Sequence, residues 1–210
     1  MSRKWFYALL FPILTTCNTQ PAGWQRLNLP CFKISVPPDW KYVNPGQQED
    51  SFVGEITGPK LKLSFDCSEM GYANHLLKTE KEYLDSRDWW NDSLTLPFWE
   101  TTRKVHLPDD LQKIKFPKAD YVADLTYKGN TIYLPIEIPE EIKAQHIELD
   151  SNSSYVFKTI WPKVAGKGMT GIYIHSRSSN SNFQMNGGDL SLTDQELTLK
   201  AFKTIELKNK

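Results

Sequence analysis

Residues able to carry catalysis are sparse in this sequence, and their spacing matches no common catalytic motif. The sequence has no Gly-x-Ser-x-Gly elbow and no phosphate-binding glycine loop. Three carboxylates, Glu55, Asp66 and Glu69, fall near one predicted strand end, where an acid and a base could together cleave a glycosidic bond. The four histidines lack the short spacings of a zinc site: His75, His106, His146 and His175. We therefore predict no metal and no cofactor.

The densest group of side chains suited to binding is aromatic. Trp89, Trp90, Phe98 and Trp99 lie close together in the sequence. Adjacent tryptophans on a helix cannot both face one core, so at least one of them should be exposed. Exposed tryptophans bind sugars or protein surfaces by stacking and burial, which makes Trp89, Trp90 and Trp99 candidate contact residues. The alternative is that the segment folds back and buries them in a small satellite core.

Cys17 directly follows an apolar segment at the start of the chain. Arg3 and Lys4 give a positive beginning, and residues 5–16 are mostly apolar but fall short of the roughly 20 residues that a membrane span needs. This arrangement predicts a cleavable export signal over residues 1–16. Residues 14–17 resemble a bacterial lipobox, whose cysteine is lipidated and becomes the mature N-terminus. Thr16 departs from the small residue usual at that position.

The lipobox resemblance implies a protein held at a membrane by lipid on Cys17, with residues 17–30 as the lipidated cysteine and its tether. It also implies the outer membrane, facing the periplasm or the cell surface, because Asn18 is not the aspartate associated with inner-membrane retention. Two other interpretations remain open. The signal could be cleaved near Ala22 with loss of Cys17, or the chain could be cytosolic with a chance apolar start.

Cys31 and Cys67 are the two cysteines that remain. Both lie at predicted strand ends, and an oxidising periplasm would allow them to pair. Such a disulfide would be worth about 3–4 kcal/mol from the loop that it closes in the unfolded chain. The alternative is two buried thiols that act as small apolar residues.

Charge and length limit the possible partners. The chain has 25 basic and 25 acidic residues, so it lacks the strong positive field that nucleic-acid binding requires. We predict no nucleic-acid partner. After removal of a signal, the remaining length suits one domain with a single core, and we assign residues 31–210 to it.

The positions of apolar residues predict a mostly antiparallel α+β fold with six or more strands and helices packed on the sheet. Alternation predicts strands at about 31–36, 51–57, 60–67, 121–127, 131–138, 155–161, 171–175, 182–185 and 204–207. Helical spacing predicts a helix from residue 73 or 74 to about 90. A second helix should run to about Lys203 from a capping box of Thr193 and Glu196. Residues 87–118 are expected to be an irregular insertion with a strand near 101–106 and a short helix near 109–114.

The residues Phe32-Lys33-Ile34, Pro38-Asp39-Trp40 and Lys203-Thr204-Ile205 resemble the pattern of the PsbP-like α/β sandwich. The pattern is also similar to that of uncharacterised bacterial lipoproteins. The resemblance implies a structural scaffold and supplies no catalytic residue.

These observations favour a cell-envelope lipoprotein that acts as a non-catalytic binding or assembly module. Its partners would be the membrane, through the lipid, and an envelope protein or glycan. The alternatives are an envelope glycan or peptide hydrolase and a structural envelope protein without a ligand.

Overall fold

The computed structural model describes residues 21–44, 51–68, 76–90 and 95–208. These residues form thirteen strands and four helices. The strands are β1 (Gln25–Asn28), β2 (Phe32–Val36), β3 (Lys41–Val43), β4 (Ser51–Thr57), β5 (Lys62–Ser68), β6 (Thr102–His106), β7 (Tyr121–Tyr127), β8 (Asn130–Ile136), β9 (Gln145–Ser151), β10 (Tyr155–Pro162), β11 (Met169–Ser176), β12 (Asn182–Gly188) and β13 (Glu206–Leu207). The helices are α1 (Glu80–Asp85), α2 (Asp110–Lys115), α3 (Glu140–Lys143) and α4 (Leu192–Phe202).

The largest sheet has seven strands in the order β3-β4-β5-β12-β11-β10-β9, and every neighbouring pair is antiparallel. One face of this sheet, called here the inner face, carries Phe65 and Phe183. The ring of Phe32, from β2, lies 5.0 Å from the ring of Phe65 and 4.7 Å from that of Phe183. The three-stranded sheet β1-β2-β13 therefore packs on the inner face, where α4 adds the buried Ala201 and Phe202.

A second core is built from residues that are close together in the sequence. The strands β6, β7 and β8 form their own three-stranded sheet. Trp89 packs there with three buried side chains of that sheet, Ala123, Leu125 and Ile136. Tyr83 and Leu84 of α1 lie against the same cluster. Residues 87–118 thus supply Trp89 and β6 to the second core, which also contains the β7–β8 hairpin.

The second core meets the large sheet on the outer face, opposite the inner one. A Cβ atom at Gly171 of β11 would lie 2.6 Å from Cδ2 of Leu76, so the glycine allows the segment before α1 to approach the strand. Nearby, the buried Lys158 of β10 places its Nζ 3.0 and 3.1 Å from the two carboxylate oxygens of Glu82 in α1. Lys158 and Glu82 thus connect the large sheet to the second core.

The predicted α+β class with a mostly antiparallel sheet is confirmed. The hairpins β4–β5, β7–β8 and β10–β11 lie where alternation predicts them. The short strand and helix predicted around residues 101–114 are also present, as β6 and α2.

The first predicted helix is wrong in its extent. Helix α1 begins at Glu80 and ends at Asp85, and residues 76–79 are not helical. The reason is a capping box, in which Thr79 Oγ1 accepts from the N–H of Glu82 at 3.0 Å and the Glu82 carboxylate accepts from the N–H of Thr79 at 2.6 Å. Residues 73–75 of that prediction lie outside the described part of the chain.

Further elements differ from prediction. Strand β3, Lys41–Val43, was not predicted. The cap of α4 is Ser191, which bonds the N–H of Asp194, rather than Thr193 with Glu196. Strand β9 was not predicted. Strand β1 lies within residues 17–30, the stretch predicted as a tether. The backbone of Gln25–Asn28 pairs with β2, and Leu27 packs on the main core, so this part of the stretch belongs to the fold.

In the described ranges, the longest helix has 11 residues, and none of the helices is long and apolar enough to cross a membrane.

Candidate functional site

A row of aromatic side chains runs along the inner face of β10. Residues two apart on a strand share a face, so Tyr155, Phe157, Thr159 and Trp161 point to the same side. All four are half-buried, whereas Lys158 and Ile160, on the outer face, are buried. Tyr155 and Phe157 rest on the main core, but the row extends beyond it toward the C-terminal end of β10.

Helix α4 faces this row without covering it, which leaves a groove of about 820 Å³. We call it the β10–α4 groove. Leu199, Phe202 and Lys203 form its wall on the α4 side, and β11 contributes Ile172 and Ile174 to the floor. The volume suits a small ligand or a segment of an extended chain.

Carboxylates from β9 line the open side of the β10–α4 groove. Glu148 lies opposite Thr159 and Asp150 opposite Phe157 in the antiparallel register, so both carboxylates share the groove face with the aromatic row. Both residues are exposed. Within the described ranges neither forms an ion pair, whereas Glu206, on the far wall, is bound to Arg26 at 2.7 Å.

A smaller hollow of about 560 Å³ adjoins the groove at Tyr155. Its floor contains Cys31 and Cys67, which the structure joins as a disulfide between β5 and the residue before β2, with a Cα–Cα distance of 6.7 Å. The end of β11 supplies the hydroxyl of Ser176, and the loop that follows supplies those of Ser178, Ser179 and Ser181. The groove thus passes from an aromatic, acidic section into a section rich in hydroxyl groups.

The structure separates the three tryptophans predicted as contact residues. Trp89 is a core residue, 8% exposed, and its Nε1 donates to the carbonyl of Leu84 at 2.8 Å. Trp90 is half-buried against Phe98, with ring centroids 5.0 Å apart. Trp99 is 81% exposed and is the one large aromatic side chain of the cluster that a partner could reach.

The aromatic cluster is also fixed by two cations. The guanidinium groups of Arg87 and Arg103 lie 4.5 and 4.3 Å from the centroid of Phe98. These distances allow cation–π attraction, which orders the segment that carries Trp99. Trp99 therefore projects from an ordered base, and it does not line the β10–α4 groove.

The other predicted groups do not assemble into a site. Glu55 and Asp66 share the outer face on the neighbouring strands β4 and β5, opposite the groove, and Glu55 is bound there by Lys62 at 2.5 Å. Glu69, His75 and the lipidation candidate Cys17 lie outside the described residues. Among the described residues, no group of three metal-ligating side chains comes together.

An exposed apolar patch lies at the far end of β6. Leu107, Leu111 and Ile114 are 69%, 78% and 79% exposed. Leu111 and Ile114 are three residues apart in α2, so they share one helix face.

His106, next to this patch, binds an acceptor with each ring nitrogen. Its Nε2 lies 2.8 Å from Asp124 Oδ1, and its Nδ1 lies 2.8 Å from the carbonyl oxygen of Leu107. Two acceptors require two N–H donors, so this geometry needs the imidazolium form. The hydrogen bond to Asp124, followed by that to Leu107, raises the pKa of His106 above its usual value.

We expect the His106–Asp124 contact to stabilise the fold at acid pH and to lose that effect at alkaline pH. The pKa of His106 is higher in the folded than in the unfolded protein. The contact therefore contributes its full stability below the pKa of the unfolded state, and this contribution disappears as the pH rises through the pKa of the folded state. Asp124→Asn should therefore cost up to about 1 kcal/mol in urea unfolding near pH 5.5, and clearly less near pH 8.5. An equal cost at both pH values would contradict the charged pair.

Sequence reasoning missed the β10–α4 groove, although part of its signal is visible. The alternation of Tyr155, Phe157 and Trp161 shows that these side chains share a face. The spacing of Glu148 and Asp150 gives the same information for β9 once β9 is known to be a strand. What the sequence does not show is that α4 leaves this end of the face open.

No protein-family model matches the chain, and no curated protein matches its sequence. Among solved structures, the chain is similar to the solution structure of cyanobacterial PsbP (CyanoP) from Synechocystis sp. PCC 6803. The TM-score is 0.36 and the sequence identity 10%, over 94% of this chain and 100% of the other.

Proposed function

We propose that the protein is a non-catalytic binding module of the cell envelope, exported and held at a membrane by lipid on Cys17. The β10–α4 groove is its binding surface. The observation that carries this proposal is the combination, on one face, of a half-buried aromatic row and two exposed carboxylates without ion-pair partners in the described ranges. Aromatic rows provide apolar area, and exposed carboxylates provide direction and selectivity.

A hydrolase is less well supported by the same residues. A glycosidase needs one carboxyl group in an apolar, water-poor setting so that it can act as an acid. Glu148 and Asp150 are both exposed, and they share one edge of the groove. A binding role needs only that the two carboxylates are exposed and accessible to a partner, as they are here.

The proposal is tested by site-specific photo-crosslinking in cells that produce the protein. A photoreactive residue in place of Glu148 should yield a discrete adduct, and adding Asp150→Lys should reduce its yield severalfold. The same photoreactive residue in place of Lys128, in the β7–β8 turn, is the matched control at an exposed site of the second core. Equal adducts at both positions, or none at position 148, would reject the groove as the binding surface.

Export and lipid attachment are tested separately. Metabolic labelling with palmitate should mark the wild-type protein and leave Cys17→Ser unlabelled. Unlabelled wild-type protein would remove the anchor from the proposal and leave the groove unaffected.

A further inference from the structure

In the part of the chain that the structure describes, no strand pairs with the outer side of β9, which is an end strand of the large sheet and borders the β10–α4 groove. The backbone of β9 is oriented to accept another strand. The hydrogen bonds Asn152 N–H to Tyr155 O at 3.0 Å and Lys163 N–H to Ala144 O at 2.8 Å show which residues of β9 bond to β10. In this register, the even-numbered residues 144–152 bond to β10. Ile147 and Leu149 therefore direct their N–H and C=O groups toward the open edge.

The end strands of the seven-stranded sheet and of the β6-β7-β8 sheet differ in how well they are protected. Strand β3 has only three residues, and β6 carries Arg103 and Lys104. Strand β8 contains Pro135, which has no N–H to donate. Short length, charged side chains, lysine above all, and proline are the usual means of preventing a sheet edge from pairing with another chain. Strand β9 has seven residues, Gln145–Ser151, with no lysine, arginine or proline, and its charges, on Glu148 and Asp150, repel acidic strands but not basic ones.

The charge next to this edge selects one kind of incoming strand. Side chains of an added strand that face the groove would lie about 4.8 Å from β9. Their neighbours would be Glu148 and Asp150, with the aromatic row of β10 behind them. Lysine or arginine at alternate positions satisfies both features, because the carboxylates pair with the charge and the aromatic rings attract cations through their faces.

We propose that β9 binds an extended, basic segment of a partner protein as an eighth strand of the large sheet. Lysine or arginine side chains at alternate positions of that segment enter the β10–α4 groove. This proposal rests on the proposed function and specifies the class of ligand. The main-chain bonds to Ile147 and Leu149 supply affinity, and Glu148 and Asp150 supply selectivity for positive charge.

The test uses three synthetic octapeptides titrated into the mature protein by calorimetry and amide NMR. The first alternates lysine and threonine, the second alternates glutamate and threonine, and the third is the lysine peptide with N-methyl groups on alternate amides. We expect only the first to bind well, with the second and third weakened at least about tenfold. Binding should also slow hydrogen exchange at the N–H groups of Ile147 and Leu149. Because the methyl groups are on the peptide, this comparison does not depend on the folding of a protein variant.

A matched pair of protein variants tests the role of charge. Glu148→Gln with Asp150→Asn should weaken binding of the lysine peptide about tenfold. Asp110→Asn with Glu137→Gln removes two exposed carboxylates away from the groove, one in α2 and one just after β8, and should leave binding unchanged.

Two outcomes would overturn the strand-addition proposal. Equal binding of the methylated peptide would mean that charge alone is recognised. No binding of any peptide, together with an adduct at position 148 in cells, would reject a basic strand and leave the groove as the site for a different ligand, such as a glycan. Failure of both experiments would reject the proposed function as well.

Discussion

Glu82→Ala is expected to lower the free energy of unfolding by about 3 kcal/mol, because it leaves a buried ammonium group without its partner. Lys158 is 6% exposed, and its Nζ contacts both oxygens of the Glu82 carboxylate. The expected cost lies at the lower end for a broken buried pair, since the Glu82 side chain itself is 47% exposed. The loss of the capping hydrogen bond to Thr79 adds to it. Denaturation in urea measures the effect.

Helix α1 supplies a matched control. Lys81 and Asp85 form an exposed i,i+4 pair in the same helix. Asp85→Asn should leave the free energy of unfolding almost unchanged, because water screens an exposed pair. If both variants lost the same stability, the Lys158–Glu82 pair would be no more than a surface contact.

The pH dependence of this pair has the opposite sign to that of His106. Burial tends to raise the pKa of Glu82, but the hydrogen bonds from the Thr79 N–H and from Lys158 outweigh it and hold the pKa below its usual value. A lowered folded pKa gives stability that is present above the unfolded pKa and is lost as pH falls through the folded pKa. The difference in unfolding free energy between the wild type and Glu82→Gln should therefore shrink as the medium becomes acid.

Removing the disulfide is expected to lower the free energy of unfolding by as much as Glu82→Ala does, or by more. Cys31 and Cys67 are separated by 36 positions. A cross-link over such a loop contributes about 4 kcal/mol by restricting the unfolded chain. The double variant Cys31→Ala, Cys67→Ala should lose that amount, and the wild type should lose it when dithiothreitol is added.

The double variant is also the control for the reductant, because its unfolding should not respond to dithiothreitol. Mass spectrometry after alkylation of the unreduced wild-type protein should find neither Cys31 nor Cys67 modified. Two alkylated cysteines, or a wild type as stable with reductant as without it, would show that the pair is not bonded in solution.

The antiparallel hairpins could be predicted because their signal is local. Leu61, Leu63 and Phe65 alternate with lysines and serine, and all three are buried on the inner side of the hairpin. Period-two alternation reports burial on one face directly, and it does so without knowledge of the partner. The β7–β8 hairpin gains a second local signal from Gly129, whose positive φ of 80° suits the tight turn.

The helix predicted from residue 73 or 74 to about 90 is longer than α1, because tertiary contacts override the helical spacing of the apolar residues. Leu76 has the spacing of a helix face, yet it packs on Gly171 as part of a non-helical segment. Glu82 has the spacing of an i,i+4 partner for Lys78, yet it caps the helix and binds Lys158, while Lys78 binds Asp88 at 2.5 Å. Each of these contacts depends on a residue distant in sequence or on a cap that competes with helix propagation.

Strand β9 and the groove could not be predicted for a different reason. The odd-numbered side chains of β9 include the 64% exposed Leu149, and the even-numbered ones are polar and exposed. An edge strand with little burial carries little periodic signal. The groove itself depends on where α4 crosses the inner face, which is a property of tertiary packing.

The distance in sequence between β5 and β12 has a consequence for chain entropy. Phe65 and Met185 are direct neighbours in the large sheet, although all residues of the second core lie between them in the sequence. Joining them in an unfolded chain confines a very long loop, and the entropic cost of a loop rises with its length. Folding of the second core compacts the intervening chain, and Glu82 with Lys158 fixes its start to β10. The second core therefore lowers the entropic cost of pairing β5 with β12.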